Sequence, residues 1–297
     1  MFIAPKILLP PGIGDVYWSL VKMESFLKKK ELGKPDVYVA CRPDKFGSEN
    51  RAFDFIEQFP FVNSTRTVLN NDLAPDEFWT HAYTQKETGI FKDVIGCDYF
   101  VAYNGSINAG RSLEETDPEI ACNWDTVLPG GSTRSPIAQK MWTRYTKYIV
   151  YHFGTRGTYR YWTDDFSVNQ IVQSIKEISK NTETTPILVG GEWDREDPGL
   201  LQIRDSVPCV DMMGKTSFKE ICGLIRGAEM VVGFPSGLSM ISPMLGTKTL
   251  SLWSNLYPRR TRWNVVAPQF RNKLYFVNKT RGLSINYLVE RVVALNG

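Results

Sequence analysis

The sequence predicts an α/β protein made of two Rossmann-like, doubly wound halves facing each other across a cleft. Three observations predict it. Short apolar, β-branched runs alternate with segments of helical period, the pattern of βαβ units on a mainly parallel sheet. The alternation occurs twice, on either side of a polar stretch from Asn104 to Arg134 that is rich in Gly, Ser, Asn, Thr and Pro. A length of 297 residues also accommodates two domains, read here as 1–145 and 146–297.

In the first half, Lys6 to Leu9 reads as a buried strand, followed by a Pro-Pro-Gly-Ile-Gly loop. Asp15 to Lys30 then has helical spacing through Val16, Leu20, Met23 and Leu27. Further strands are expected at Val37 to Ala40, Thr65 to Leu69 and Tyr99 to Tyr103, with a helix at Arg51 to Phe59. In the second half, strands are expected at Tyr148 to Phe153, Pro186 to Val189, Cys209 to Asp211, Met230 to Val232 and Thr249 to Trp253. Helices are expected at Asp164 to Ile178, Ser217 to Arg226, Leu238 to Leu245 and Ser284 to Leu295.

Composition narrows the function classes. With 42% hydrophobic and 23% charged residues the chain can bury a sizeable core, which excludes disorder, collagen and a disulfide scaffold. The formal charge of +3 is too small to indicate nucleic-acid or membrane binding by itself, but its distribution is uneven. Met230 to Val289 holds no Asp or Glu, while Lys248, Arg259, Arg260, Arg262, Arg271, Lys273, Lys279 and Arg281 fall within it. Five scattered cysteines without a Cys-x-x-Cys pair indicate neither a disulfide framework nor a zinc knuckle. The opening Met-Phe-Ile-Ala-Pro-Lys does not fit a signal peptide, and the apolar Ala228 to Gly246 stretch contains Glu229, Pro235 and Pro243. A cytoplasmic protein with no transmembrane segment, possible peripheral membrane association aside, is the expectation.

Open α/β sheets bind ligands at the carboxyl ends of their strands, so the loops there carry the candidate chemistry. Gly14-Asp15 follows the first strand; Asp15 is a candidate general base or simply the cap of the helix it opens. His152 to Trp162, with Thr155, Arg156, Thr158 and Arg160 around glycines, reads either as a diphosphate cradle or as a solvated loop. Gly233-Phe-Pro-Ser236-Gly237 leads a strand into a helix whose positive end suits a pyrophosphate, or is a plain turn. Pro258 to Trp263 is basic and aromatic, fit for phosphates or for ordinary surface. Trp79, Trp124 and Trp142 are candidates for an acceptor wall or for packing. The chain has no Gly-x-Ser-x-Gly elbow, two histidines, no Asp-x-Asp and no His-x-x-x-His, which leaves little for a serine hydrolase or a divalent-metal site.

In order along the chain, these segments resemble glycosyltransferase family 9, the heptosyltransferases, whose members have two Rossmann-like halves in the GT-B arrangement. The resemblance rests on Gly14-Asp15-Val16, on Asp211-Met-Met-Gly-Lys-Thr-Ser217, and on the run from Val231-Val-Gly233 through Ser236-Gly237 to Leu245-Gly-Thr247. It implies inverting transfer of a sugar from a nucleotide diphosphate sugar, with no cofactor and no metal. It implies Asp15 as the base, and Thr155, Arg156, Arg160, Ser236 and Gly237 around the diphosphate. It further places Asp194 at the ribose, Lys215, Thr216 and Ser217 by the base of the nucleotide, and Gly14, Asn104 and Ser106 on the acceptor side. A glycan or lipid-linked saccharide is the implied acceptor. DNA carrying a modified base is a less favoured one, and a non-catalytic nucleotide-sugar binding protein is the competing class. Two positions depart from the family pattern: Pro235 stands where it has Asp, and Met240 where it has His.

Overall fold

In the computed structural model, the structure describes residues 4–10, 12–41, 52–69, 96–103, 107, 109–125, 136–154, 165–253, 265–277 and 281–297. The chain divides into two compact units, Met1–Pro129 with Pro258–Ala267, and Gly130–Tyr257 with Pro268–Gly297.

The first unit is a four-stranded parallel sheet in the order β3-β2-β1-β4, with β1 Lys6–Leu9, β2 Asp36–Cys41, β3 Ser64–Leu69 and β4 Tyr99–Phe100. Ile7, Leu8 and Leu9 are fully buried, as expected for a central parallel strand covered on both faces. Helix α1, Ile13–Lys29, crosses from β1 to β2 and buries Val16, Tyr17, Leu20, Val21, Met23, Phe26 and Leu27. Asp15 in its first turn and Lys28 and Lys29 in its last complement the helix dipole. Lys22 on the same helix is fully buried, and its ammonium donates to the Thr116 carbonyl and, at 2.9 Å, to the Asp117 carbonyl, tying the 112–120 segment to α1. Helix α2, Ala52–Ile56, adds Phe55 to the face of Tyr17. The returning residue Val265 belongs to this unit, its carbonyl accepting from Trp18 Nε1 at 3.2 Å.

The second unit is a six-stranded parallel sheet in the order β10-β9-β8-β5-β6-β7. The strands are β5 Tyr148–His152, β6 Thr185–Leu188, β7 Val210–Asp211, β8 Met230–Gly233, β9 Lys248–Leu252 and β10 Leu274–Val277. Counted from β5, this is the doubly wound order of a dinucleotide-binding sheet, and the strand order reverses between β5 and β8. Both strands are buried along their whole length.

Helices α3 Pro136–Arg144, α4 Val168–Thr182, α5 Pro198–Ser206, α6 Phe218–Gly227, α7 Gly237–Met244 and α8 Ile285–Asn296 belong to this unit. Ser167 with Gln170 and Ser217 with Glu220 form capping boxes that open α4 and α6, and Asp197 caps α5 with Pro198 behind it. Helix α3 packs through Trp142, whose Nε1 donates to the Tyr148 hydroxyl at 2.7 Å while that hydroxyl donates to the Leu224 carbonyl at 2.8 Å. Trp142 is therefore a packing residue of the second sheet. Among the described residues, no helix is long and apolar enough to cross a membrane.

Candidate active site

In the first unit, the strand order reverses between β1 and β4, so the turn after β1 stands at the crossover where open sheets receive ligands. Helix α1 begins at Ile13 with Gly12 as its N-cap, so Asp15 is not the cap. It stands in the first turn beside Gly14, half-buried, with its carboxylate folded back towards Gly12. A methyl group on Gly12 would stand 2.5 Å from Asp15 Oδ2, so the glycine makes room for the carboxylate. Asn104 and Ser106, expected on the acceptor side, lie outside the described residues, as do Trp79 and the basic loop Arg259 to Trp263.

In the second unit, the loops leaving β5, β6, β7 and β8 hold the remaining candidates. Asp194 sits in the short 3-10 turn Glu192–Glu196 after β6, only 5% exposed. Its Oδ2 accepts from the Gly191 N–H at 2.6 Å. The carboxylate points inward, wedged between two glycines: methyl groups on Gly154 and on Gly190 would each stand 2.5 Å from Asp194 Oδ2. Gly154 precedes the segment of Thr155, Arg156 and Arg160, which lie outside the described residues.

The loop after β7 packs beside this turn, the Gly214 N–H donating to the Gly190 carbonyl at 3.1 Å. Gly214 has a φ of +65°, and a side chain there would run into the Glu192 carboxylate, so only glycine suits the position. Lys215 is paired with Asp211, its Nζ 2.9 Å from both the carbonyl and Oδ2 of that residue. Ser217 spends its hydroxyl on the cap of α6, accepting from Glu220 N at 3.2 Å. Thr216 is buried, and its Oγ1 has no hydrogen-bond partner among the described residues.

Strand β8 ends at Gly233, opposite His152 at the end of β5. A side chain on Gly233 would collide with the His152 carbonyl, and that carbonyl accepts from Phe234 N at 3.1 Å. The turn leads to Ser236, N-cap of α7, whose Oγ accepts from Ser239 N at 3.3 Å and lies 3.0 Å from His152 Nδ1. The first helical bond runs from Met240 N to the Ser236 carbonyl at 3.2 Å. Among the described residues nothing accepts from the amides of Gly237 and Leu238, the first two of α7, and the helix end carries a partial positive charge suited to an anion. Among the described residues, no group of three or more His, Cys, Asp or Glu side chains could hold a metal ion.

Asp194, Thr216, Ser236 and Gly237 thus stand on loops at the carboxyl end of one parallel sheet. Comparison with known proteins identifies the segment that carries them. Residues 171–283 match the model of glycosyltransferase family 9 (heptosyltransferase). By that segment, the chain is similar to the glycosyltransferases of family 9. The match runs from α4 to the turn before α8 and takes in Asp194, Lys215 to Ser217 and Ser236-Gly237.

Solved structures extend the likeness in fold over the whole chain. E. coli ADP-heptose lps heptosyltransferase II superposes with a TM-score of 0.58 at 13% identity, over 99% of this chain and 98% of that one. E. coli heptosyltransferase WaaC with ADP gives 0.54 at 14% identity, over 98% and 100%. A putative UDP-N-acetylglucosamine 2-epimerase from Listeria monocytogenes gives 0.55 at 10% identity, over 99% and 88%. At such identities the likeness is one of fold, which two chemistries share. By sequence, no curated protein matches the chain.

Sequence reasoning passed over His152, Gly12, Gly154 and Gly190 as site residues. The signal for the glycines was their position directly after strands. For His152 it was a polar residue ending an otherwise apolar strand opposite a glycine.

Proposed function

We propose that the protein transfers a sugar from a nucleotide diphosphate sugar to a hydroxyl of a glycan or lipid-linked saccharide, with inversion and without a metal. The observation that carries this reading is that the family 9 segment's loops after β6, β7 and β8 lie at the carboxyl end of the second sheet, with the Ser236 cap of α7 at its crossover.

In this reading the second unit holds the donor. The amides of Gly237 and Leu238 meet the diphosphate, and Thr155, Arg156 and Arg160 supply the hydroxyl and guanidinium donors that take up charge as the nucleoside diphosphate leaves. Asp194 acts by shaping the start of that loop, and the buried Thr216 hydroxyl is the unspent polar group of the loop assigned to the nucleotide base. In the first unit, Asp15 accepts the proton of the acceptor hydroxyl as its oxygen attacks the anomeric carbon from the face opposite the leaving diphosphate. That geometry inverts the configuration. Arginines and helix amides do the work that a bound cation would otherwise do.

The test is a screen of UDP, GDP, ADP and dTDP sugars by thermal shift and by mass-spectrometric detection of donor turnover, with and without chelator. A hit unchanged by chelator, lost in turnover but retained in binding by Asp15→Asn, is the expected result. Turnover by Asp15→Asn at the unsubstituted rate would remove Asp15 as base. Loss of turnover in chelator would remove the metal-free mechanism.

A further inference from the structure

The crossover of the second sheet carries a side-chain bond that the transfer reading leaves unused, between His152 Nδ1 and Ser236 Oγ at 3.0 Å. His152 is held on its main chain by β8, since its carbonyl accepts from Phe234 N at 3.1 Å and fits against Gly233 where no side chain could stand. The residue is 8% exposed. It is therefore a fixed arm reaching from β5 to the N-cap of α7.

That N-cap needs an anchor. Helix α7 has eight residues and contains Pro243, which has no N–H to complete the helical ladder. Helices this short do not hold their own geometry, so the direction of the first turn is set by what grips it. Around Ser236, the backbone N–H donates to Ser239 Oγ at 2.8 Å, Ser239 Oγ donates to the Ser236 carbonyl at 2.9 Å, and Ser239 N donates to Ser236 Oγ. These bonds hold the cap to its own helix. The bond to His152 ties the cap's side chain to the sheet, beside the packing of α7, whose residues Leu238 to Met244 are buried.

We propose that His152 is a positioning residue for the donor diphosphate. Through Ser236 it fixes the first turn of α7 so that the Gly237 and Leu238 amides present their N–H groups to the phosphates. This rests on the donor reading of the site. The ring acts through Nδ1, and the constraint is the same whether Ser236 or the imidazole supplies the shared proton.

The experiment measures binding of ADP, UDP and GDP to the whole chain by calorimetry, with melting temperatures alongside. Loss of one such bond is expected to weaken the bound nucleotide about tenfold in His152→Phe and in Ser236→Ala, and no further in the double variant. An asparagine places its Oδ1 near the position of Nδ1 and a glutamine places its amide near that of Nε2. His152→Asn is therefore expected to recover most of the affinity and His152→Gln little. A role in packing alone would make the two amides equivalent, and that result would overturn the proposal, as would unsubstituted affinity in His152→Phe. If the unsubstituted protein binds none of these three nor dTDP, the donor reading fails and this inference fails with it. If it binds and His152→Phe binds equally, this inference alone fails.

Discussion

Replacing Gly154 by alanine tests whether Asp194 shapes the donor loop. The new methyl would stand 2.5 Å from Asp194 Cγ and Oδ2, where ordinary contact begins near 3.4 Å. The carboxylate must therefore retreat by about 0.9 Å. It has little room, because Gly190 flanks its other side. Such a retreat takes the 2.6 Å bond from Gly191 N to Oδ2 to the limit of hydrogen bonding. A buried amide–carboxylate bond is worth about 1.5–3 kcal/mol, so the variant should lose about 2 kcal/mol, which for a domain of this size lowers the melting temperature by about 4–8 °C. Nucleoside diphosphate affinity should fall as well, since Gly154 leads directly into Thr155 and Arg156. The decisive comparison is Gly154→Ala in an Asp194→Ala background, read by thermal unfolding and calorimetry. With the carboxylate removed, the methyl occupies the space it leaves, and the second substitution should cost little. An equal cost in both backgrounds, or no cost in the unsubstituted one, would refute the wedge between Gly154 and Asp194.

Three further outcomes are expected. Gly12→Ala should push the Asp15 carboxylate out of place and slow transfer by up to about 100-fold while leaving nucleoside diphosphate binding intact, and a kcat equal to that of the unsubstituted protein would count against Asp15 as base. Burial lowers the pKa of Lys22 from 10.5, against the opposing pull of Cys122, Asp117 and Glu114, so the unfolded chain binds more protons in the window below 10.5. The stability of the unsubstituted protein relative to Lys22→Met should therefore rise as pH climbs through that window in denaturant titrations, and a flat or falling difference would contradict it. Burial pushes the Cys222 thiol up to about 12, so alkylation at pH 8 should follow unfolding of the second unit, and fast labelling of folded protein would show that α6 opens locally.

The alternation of strands and helices was legible because the central strands are nearly pure apolar runs and each crossover helix carries an apolar stripe. The elements that escaped have weaker stripes or stronger neighbours. Helix α3 is short and polar, and it is fixed by Trp142 bonding to Tyr148, a contact invisible in periodicity. Helix α5 announced itself with Asp197 and Pro198, a cap followed by a first-turn proline, but only Leu200 and Ile203 mark its buried face. Strand β10, Leu-Tyr-Phe-Val, follows directly on a short 3-10 turn ending in Lys273 and so lacks a Gly or Pro boundary. Helix α4 starts at Val168 rather than near residue 164 because Ser167 and Gln170 close a capping box there. In the site, the family-like spacing located the loops but not the inward turn of Asp194, which depends on Gly154 and Gly190 coming together from different strands. It also did not show that Lys215 pairs with Asp211 or that Ser217 is spent on a cap.

The two units repeat one topology and diverge in chemistry at the same point of it. In each, the strand order reverses beside the first strand of the unit, and a glycine turn follows that strand. In the first unit the turn leads at once into a helix whose first turn holds a carboxylate, Asp15, against Gly12. A negative charge there opposes a diphosphate and suits a proton acceptor. In the second, the corresponding position offers Gly154 and the Ser236 cap of α7, and the buried carboxylate of Asp194 is bonded to Gly191. In the proposed reading, the sign of charge at the two crossovers divides the labour, with the base in the first unit and the phosphates in the second. This is a distinction that fold likeness alone, shared with an epimerase, does not make.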